Sequence, residues 1–273
     1  MSDQQGDGNY TMGYSQATTA SHAARTAEVD AGFLLPHLKP TDKILDVGCG
    51  PGTITIGFAA IAHDGEVVGI DISEDILGQA RQVAAKAGSP SNLSFRHGDV
   101  LKGLDWIPDG TFDAVYASQV FPHLPTAEMR EQALSEMRRV LKKDGILATR
   151  TLADMQWYPR ELGLNELLGG RMNKAFATSD YVGPWMPALY RKVGFEKIKA
   201  GAGTRVSATE EERRWLVGTF GGRLAPGETV RKSWIEAGIS EEDVDTTRRV
   251  LETWANTEDA WYIGVQADIL GWK

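Results

Sequence analysis

Apolar positions fall into two regimes along the chain. Between residues 41 and 151, short apolar runs of strand length alternate with stretches whose apolar residues recur every three or four positions. The runs predict strands at 43–47, 66–71, 93–96, 112–117 and 146–151, and the stretches predict helices at 52–62, 73–87 and 126–141. Ser73 stands where an N-cap belongs, and Gly88 follows the second helix. The third helix carries a stripe of Met129, Ala133, Met137 and Val140, and Gly145 is read as its stop. Upstream, Ala20, Ala24, Ala27, Ala31, Leu34, Leu35 and Leu38 share one helical face, which predicts a helix over 15–38 ended by Pro36 and Pro40. Strands alternating with helices require right-handed crossovers and a mainly parallel sheet. The predicted fold class is α/β and doubly wound.

After residue 151 the rhythm changes. Residues 157–176 read as an irregular helix broken at Gly169 and Gly170, and 182–193 contains Pro184 and Pro187. A strand is expected at 195–199. Ser207-Ala208-Thr209-Glu210 has the capping-box spacing and opens a helix to about residue 219, with another at 241–254. Toward the end, Trp261, Ile263, Val265, Ala267 and Ile269 alternate with Tyr262, Gly264, Gln266 and Asp268, the pattern of a half-buried strand. Seven of the eight tryptophans (157, 185, 215, 234, 254, 261 and 272) lie in this half, which marks it as the aromatic part of the molecule. One domain of 273 residues is expected, with 1–40 as an N-terminal helix or lid, 41–152 as the core, and 153–273 as a cap plus the last strands.

Composition narrows the function classes. Hydrophobic residues make up 42% of the chain, enough to build a sizeable core. A net charge of -8 without a Lys/Arg cluster argues against a nucleic-acid partner. No apolar run approaches the roughly 18–20 residues that span a bilayer, so no membrane partner is expected. The polar, slightly acidic start reads as neither signal nor transit peptide, and a cytoplasmic protein is expected. A single Cys49 excludes an intramolecular disulfide and a Cys-rich zinc site. The five histidines lack metal-ligand spacing, so no metal is expected.

The sharpest motif is Ile44-Leu45-Asp46-Val47-Gly48-Cys49-Gly50-Pro51-Gly52, a strand running into a glycine turn that opens a helix. Glycines are needed where a backbone turns tightly and a ligand comes close. The spacing is G-x-G-x-G, and Thr53 stands where a dinucleotide fingerprint has its last glycine. Asp71 closes the next strand, where an acid can accept both hydroxyls of a ribose. His97-Gly98-Asp99-Val100 follows the third strand, where a carboxylate can meet an adenine amino group. A lone G-x-G is a turn; three such features at successive strand ends, in order, form a cofactor site.

Residues 46–52, Asp71 and Gly98-Asp99 resemble the successive S-adenosylmethionine motifs of class I methyltransferases. Phe112-Asp113-Ala114-Val115-Tyr116-Ala117, followed by Ser118-Gln119-Val120-Phe121-Pro122-His123-Leu124, resembles their fourth motif in its small-molecule form. Residues 46–151 are similar to the ubiquinone/menaquinone-biosynthesis branch. Tyr10-Thr11-Met12-Gly13-Tyr14, Ser21-His22-Ala23-Ala24-Arg25-Thr26 and the Trp-rich half resemble fungal gliotoxin-type dithiol S-methyltransferases. The resemblance implies a seven-stranded Rossmann-like methyltransferase fold with an antiparallel edge, an N-terminal helical extension and a helical substrate cap.

The resemblance also implies roles. Gly48, Cys49, Gly50, Gly52 and Thr53 would sit against the methionine moiety, with Asp46 near its ammonium. Asp71 would hold the ribose and Ile72 would pack on adenine. Gly98, Asp99 and Val100 would read the adenine edge, and Gln119 would flank the sulfonium. Arg25 and Tyr14 would close on the cofactor from a lid segment. Packing alone is the competing reading for Ile72, Val100 and Cys49.

Met155, Trp157, Tyr158, Met172, Trp185 and Trp215 are expected to wall an apolar acceptor pocket. His123, between Pro122 and Pro125, is the candidate general base; a loop-bonding histidine is the alternative. In the catalytic role it would leave a pH–rate limb near 6–7. The expected reaction is in-line methyl transfer to a small-molecule nucleophile, leaving S-adenosylhomocysteine. Three acceptor readings compete. The favoured one is S-methylation of a reduced gliotoxin-type dithiol, since a thiol is a few per cent thiolate at neutral pH. O- or C-methylation of a phenol or quinone would need more help from a base. The third is a non-catalytic, cofactor-binding regulatory protein.

Overall fold

The structure of the chain, a computed structural model, describes residues 24–176 and 180–273. Seven strands form one sheet in the order β3-β2-β1-β4-β5-β7-β6. The parallel part is β1 (Lys43–Val47), β2 (Glu66–Asp71), β3 (Leu93–His97), β4 (Phe112–Ser118) and the start of β5 (Leu141–Tyr158). The last strand, β7 (Trp261–Trp272), inserts antiparallel between β5 and β6 (Lys197–Ser207).

Alternation along β1, β2 and β4 sends side chains to two cores. Ile44, Val67, Ala114 and Tyr116 pack with Phe58 of α2 (Thr53–Ile61) and Ala27 of α1 (Ala27–Asp30). Their neighbours Leu45, Val68 and Val115 pack on the other face with Met137 and Val140 of α4 (Ala127–Val140). α3 (Glu74–Lys86) follows β2 and is N-capped by Ser73, whose hydroxyl accepts from the Ile76 N–H. Two-sided burial is what a parallel sheet needs, and it explains the apolar runs.

Several elements depart from the sequence reading. Of the helix expected at 15–38, residues up to 23 lie outside those described; the rest is helical only in α1 and in a 3₁₀ turn at Leu35–His37. Gly32 lies so close to the preceding turn that a Cβ there would meet the Glu28 carbonyl oxygen at 2.5 Å. Gly145 does not stop α4. The helix ends at Val140, β5 starts at once, and Gly145 lies inside the strand beside a register shift against β4. β5 also runs through the boundary expected at 152 and takes in Trp157 and Tyr158, where the sequence predicts a helix.

The second half then continues through a 3₁₀ turn at Arg160–Leu162, a π-helical turn at Asn165–Gly170, α5 (Arg171–Ala175) and α6 (Met186–Lys192). After β6 come α7 (Glu210–Arg223), α8 (Thr229–Glu236) and α9 (Glu241–Ala255). The sequence reading missed α8. The capping box of α7 is shifted two residues, to Thr209 and Glu212 rather than Ser207 and Glu210. In β7 the polar-looking face is the more buried one: Tyr262 and Asp268 are buried, while Trp261 is exposed. Asp268 can sit there because Arg150 pairs with it at 3.0 Å.

A third core centres on Trp157, whose ring meets those of Trp254, Tyr262 and Phe220 at 4.8, 4.6 and 5.6 Å. No helix among the described residues is long and apolar enough to cross a membrane.

Candidate functional site

Strand order reverses at β1: β2 lies on one side and β4 on the other. In open α/β sheets the crevice for ligands is at the carboxyl ends of strands at such a switch point. A cavity of about 350 Å³ opens there. Its floor is the β1–α2 loop, where Gly48, Gly50 and Gly52 have φ of 68°, 54° and 79°. These left-handed values suit glycine.

The three positions differ in what faces them. A Cβ on Gly50 would meet nothing within 4 Å, so this peptide borders open space. A Cβ on Gly52 would lie 2.7 Å from the Phe95 ring. Gly48, Cys49, Gly50 and Thr53 line the cavity; Gly52, expected there too, caps α2 and lets that helix close on β3. Cys49 is buried, and burial followed by the nearby Asp46 and Asp71 pushes its thiol well above the usual range. A protonated thiol packed against Gly69 is a wall, not a nucleophile.

Carboxylates stand at the ends of three neighbouring structural units. Asp46, on β1 and 2% exposed, accepts a 2.7 Å hydrogen bond from Thr55 Oγ1 of α2. Burial lifts its pKa to about 7, Thr55 opposing and Asp71 adding to the rise. Asp71, at the end of β2, accepts from the Gly50 and Ser73 N–H groups, each at 3.1 Å. Burial still raises its pKa above the ordinary carboxylate value. Those two bonds leave further lone pairs for a ligand. Asp99, after β3, accepts from the Leu101 N–H at 2.9 Å and has Lys102 Nζ at 3.5 Å. Ile72, Gly98 and Val100 complete this side of the cavity.

Gln119, His123 and Arg25 also line the cavity. Gln119 has φ +58°, and its amide is held at both ends: Oε1 accepts from the Leu152 N–H and Nε2 donates to Gln266. His123 lies in the 3₁₀ turn after β4, its ring edge-on to Phe176 at 5.4 Å. Burial first, then the charges of Arg25 and Arg223, push its pKa down to about 3. A histidine so placed is neutral at physiological pH and a weak base, so the pH 6–7 limb expected from an ordinary histidine is corrected downward. Tyr14 lies outside the described residues.

The residues expected to wall an acceptor pocket do not line this cavity. Met155 and Trp157 belong to the third core, and Tyr158 stacks on Trp261 at 4.6 Å. Trp185 is 62% exposed, and Trp215 stands at the surface beneath Arg205. The reason is the length of β5, which carries 155–158 beyond the crevice into the aromatic core. Met172 does line a separate small pocket of about 20 Å³ with Phe176 and Arg223.

Sequence reasoning missed His97, Ile76, Leu101, Leu124 and Met129 in the cavity wall. Met129 was assigned to the core stripe of α4, because helical spacing does not say which end of a stripe meets a cavity. His97 ends β3 opposite Asp71, a pairing that only the sheet register shows.

Residues 44–145 match the family model described as a methyltransferase domain. The chain is 42% identical to a protein of Aspergillus luteorubrus named "Probable methyltransferase ltbC", over 97% of each chain. It is 35% identical to an uncharacterized methyltransferase of Schizosaccharomyces pombe over 77% of this chain and 78% of that one. Among solved structures, YcgJ of Bacillus subtilis shares the fold at a TM-score of 0.58 and 18% identity, covering 89% of this chain and 97% of the other. End-to-end identity to a methyltransferase, with the family's motifs gathered around one crevice of the matching fold, places the chain in the class I S-adenosylmethionine-dependent methyltransferases, with S-adenosylmethionine as cofactor.

Proposed function

We propose that the protein methylates a small, apolar metabolite at a nucleophile that the acceptor ionises by itself, with a thiol of a reduced gliotoxin-type dithiol as the favoured acceptor. The observation that carries this reading is the state of His123. His123 lines the cavity along with Gln119, and with its pKa near 3 it gains little by taking a proton. Efficient general bases have pKa values near the working pH. A phenol with a pKa near ~10 would therefore gain little help here, whereas a thiol near ~8.5 supplies thiolate unaided. The cations that depress His123, Arg25 and Arg223, also favour an anionic sulfur nearby.

The cavity fits the cofactor on two observations: the open space over Gly50, which a side chain would fill, and the buried Asp46 carboxylate suited to a cation. Bound there, S-adenosylmethionine supplies an electrophilic methyl group on a sulfonium. Asp71, its orientation fixed by the Gly50 and Ser73 N–H groups, would accept from the ribose hydroxyls. Asp99 would accept from the adenine amino group, and Ile72 and Val100 would give the ring apolar walls. Gln119, pinned by Leu152 and Gln266, forms a rigid flank beside the transfer point. Apolar Val120, Leu124 and Met129 exclude water, which raises the reactivity of a thiolate.

The test is turnover of labelled cofactor against a panel of thiols, phenols and quinones, with pH–rate profiles for wild type and His123→Ala. A thiol acceptor, a rate rising toward the thiol's own pKa and a kcat loss below tenfold are expected. General-base assistance is worth about 10²–10⁴-fold. A thousandfold loss on a thiol, with cofactor affinity intact, overturns the proposal, as does turnover confined to phenols or quinones.

A further inference from the structure

A buried chain of charges joins β5, β7 and α1. Arg150, near the middle of β5, places Nη1 3.0 Å from both oxygens of Asp268 on β7. Its Nε lies 3.8 Å from Asp30 Oδ1, at the end of α1. All three side chains are about nine-tenths buried. Space has been cleared for the guanidinium: a Cβ on Gly203 of β6 would lie 2.7 Å from Arg150 Nη1. Burying two acids and one base needs a return, because the desolvation of such groups rivals their attraction. Packing gives none, since apolar residues would fill the same space.

What the chain does hold is α1. This helix has four residues, too few to be stable alone. Asp30 Oδ2 accepts from the Thr26 N–H at 3.2 Å, closing the carboxylate back onto the start of the helix. The Asp30 carbonyl accepts from the buried Tyr116 hydroxyl at 2.7 Å. Thr26 directly follows Arg25, which lines the cofactor cavity and whose charge reaches His123. Arg150 also touches the cavity lining through its backbone, its carbonyl accepting from the Gln119 N–H at 2.8 Å.

We propose that Asp30, Arg150 and Asp268 form a positioning strap that clamps α1 to the antiparallel end of the sheet and thereby holds Arg25 in the cofactor site. The proposal rests on reading the cavity as the cofactor site. Its three members touch neither cofactor nor acceptor; they act through Arg25.

A double-mutant cycle on the full chain separates this from plain stabilisation. Dissociation constants for S-adenosylhomocysteine are measured by calorimetry well below each variant's Tm. Asp30→Ala leaves Arg150 paired with Asp268, so it cuts the strap without stranding a cation. It is expected to weaken binding about 5–20-fold and to raise KM for S-adenosylmethionine more than it lowers kcat. Added to Arg25→Ala, which weakens binding by itself, it is expected to cost no more than a further twofold. Asp30→Asn keeps an acceptor for the Thr26 N–H and is expected to fall between. The paired change Arg150→Met with Asp268→Asn serves as the second route, since it leaves only Asp30, at the end of α1, without its cation, and it is expected to match Asp30→Ala. Wild-type affinity in folded Asp30→Ala, or losses that add fully to that of Arg25→Ala, overturns the strap. Unchanged affinity in Asp71→Ala would instead overturn the cofactor site itself.

Discussion

At the scale of single residues, burial sets the chemistry of the crevice more than neighbours do. Asp46 and His123 are both pushed toward their neutral forms, the acid up to about 7 and the base down to about 3. A cationic ligand favours ionised Asp46, so binding should release a proton and weaken as pH falls below 7. Calorimetry in buffers of different ionisation enthalpy is expected to show that release, and Asp46→Asn should abolish it. Asp71 differs, since two backbone N–H groups already hold it. Its loss removes a charge-assisted acceptor worth about 2–3 kcal/mol. Asp71→Ala is therefore expected to raise the dissociation constant for S-adenosylhomocysteine about 30–150-fold, measured well below the variant's Tm.

At the scale of elements, the β1–α2 turn shows how one glycine pattern serves two purposes. Gly50 and Gly52 are both left-handed, yet one faces open space and the other an aromatic ring. Gly50→Ala should cost about 1–2 kcal/mol of stability from backbone strain, while its methyl group intrudes on the ligand. Gly52→Ala adds a clash with Phe95, and overpacking costs about 1–3 kcal/mol more. Thermal unfolding and cofactor titration should therefore rank the two variants in opposite orders. Equal Tm losses would mean that the turn relaxes around Phe95.

Across the whole molecule, the same two groups oppose each other in acid stability. For His123, the folded-state pKa lies below the unfolded value of about 6.5, so between pH 6.5 and 3 the unfolded chain binds a proton that the fold refuses. Its contribution is complete above 6.5 and is lost on acidification. Asp46 has a folded-state pKa above its unfolded value of 3.8, so its contribution falls as pH rises from about 4 to 7. Chemical denaturation at pH 7 and pH 5 checks the signs. His123→Asn is expected to gain on wild type by about 2 kcal/mol over that change, and Asp46→Asn to lose ground over the same change. Differences that do not move with pH would remove both shifts.

The local code was strong where strands and helices alternate, because two-sided burial writes apolar runs and capping residues directly into the chain. That made β1 to β4, α2 to α4 and the motifs at Asp46, Asp71 and Asp99 legible in sequence. It failed where a residue's surroundings come from distant segments. Trp157 and Trp254 meet across 97 residues and form a core, so aromatic content predicted a pocket that packing had already filled. Asp268 looks like a solvent-facing strand residue until Arg150, 118 residues away, accounts for its burial. His123 reads as an ordinary base until burial and two arginines set its proton affinity. The sequence by itself determined the alternation and the ligand-binding turns, since both follow from local periodicity and backbone sterics. Only the tertiary structure decided which side chains are dry and which charges meet, because solvation and Coulomb energy depend on distance through space and not along the chain.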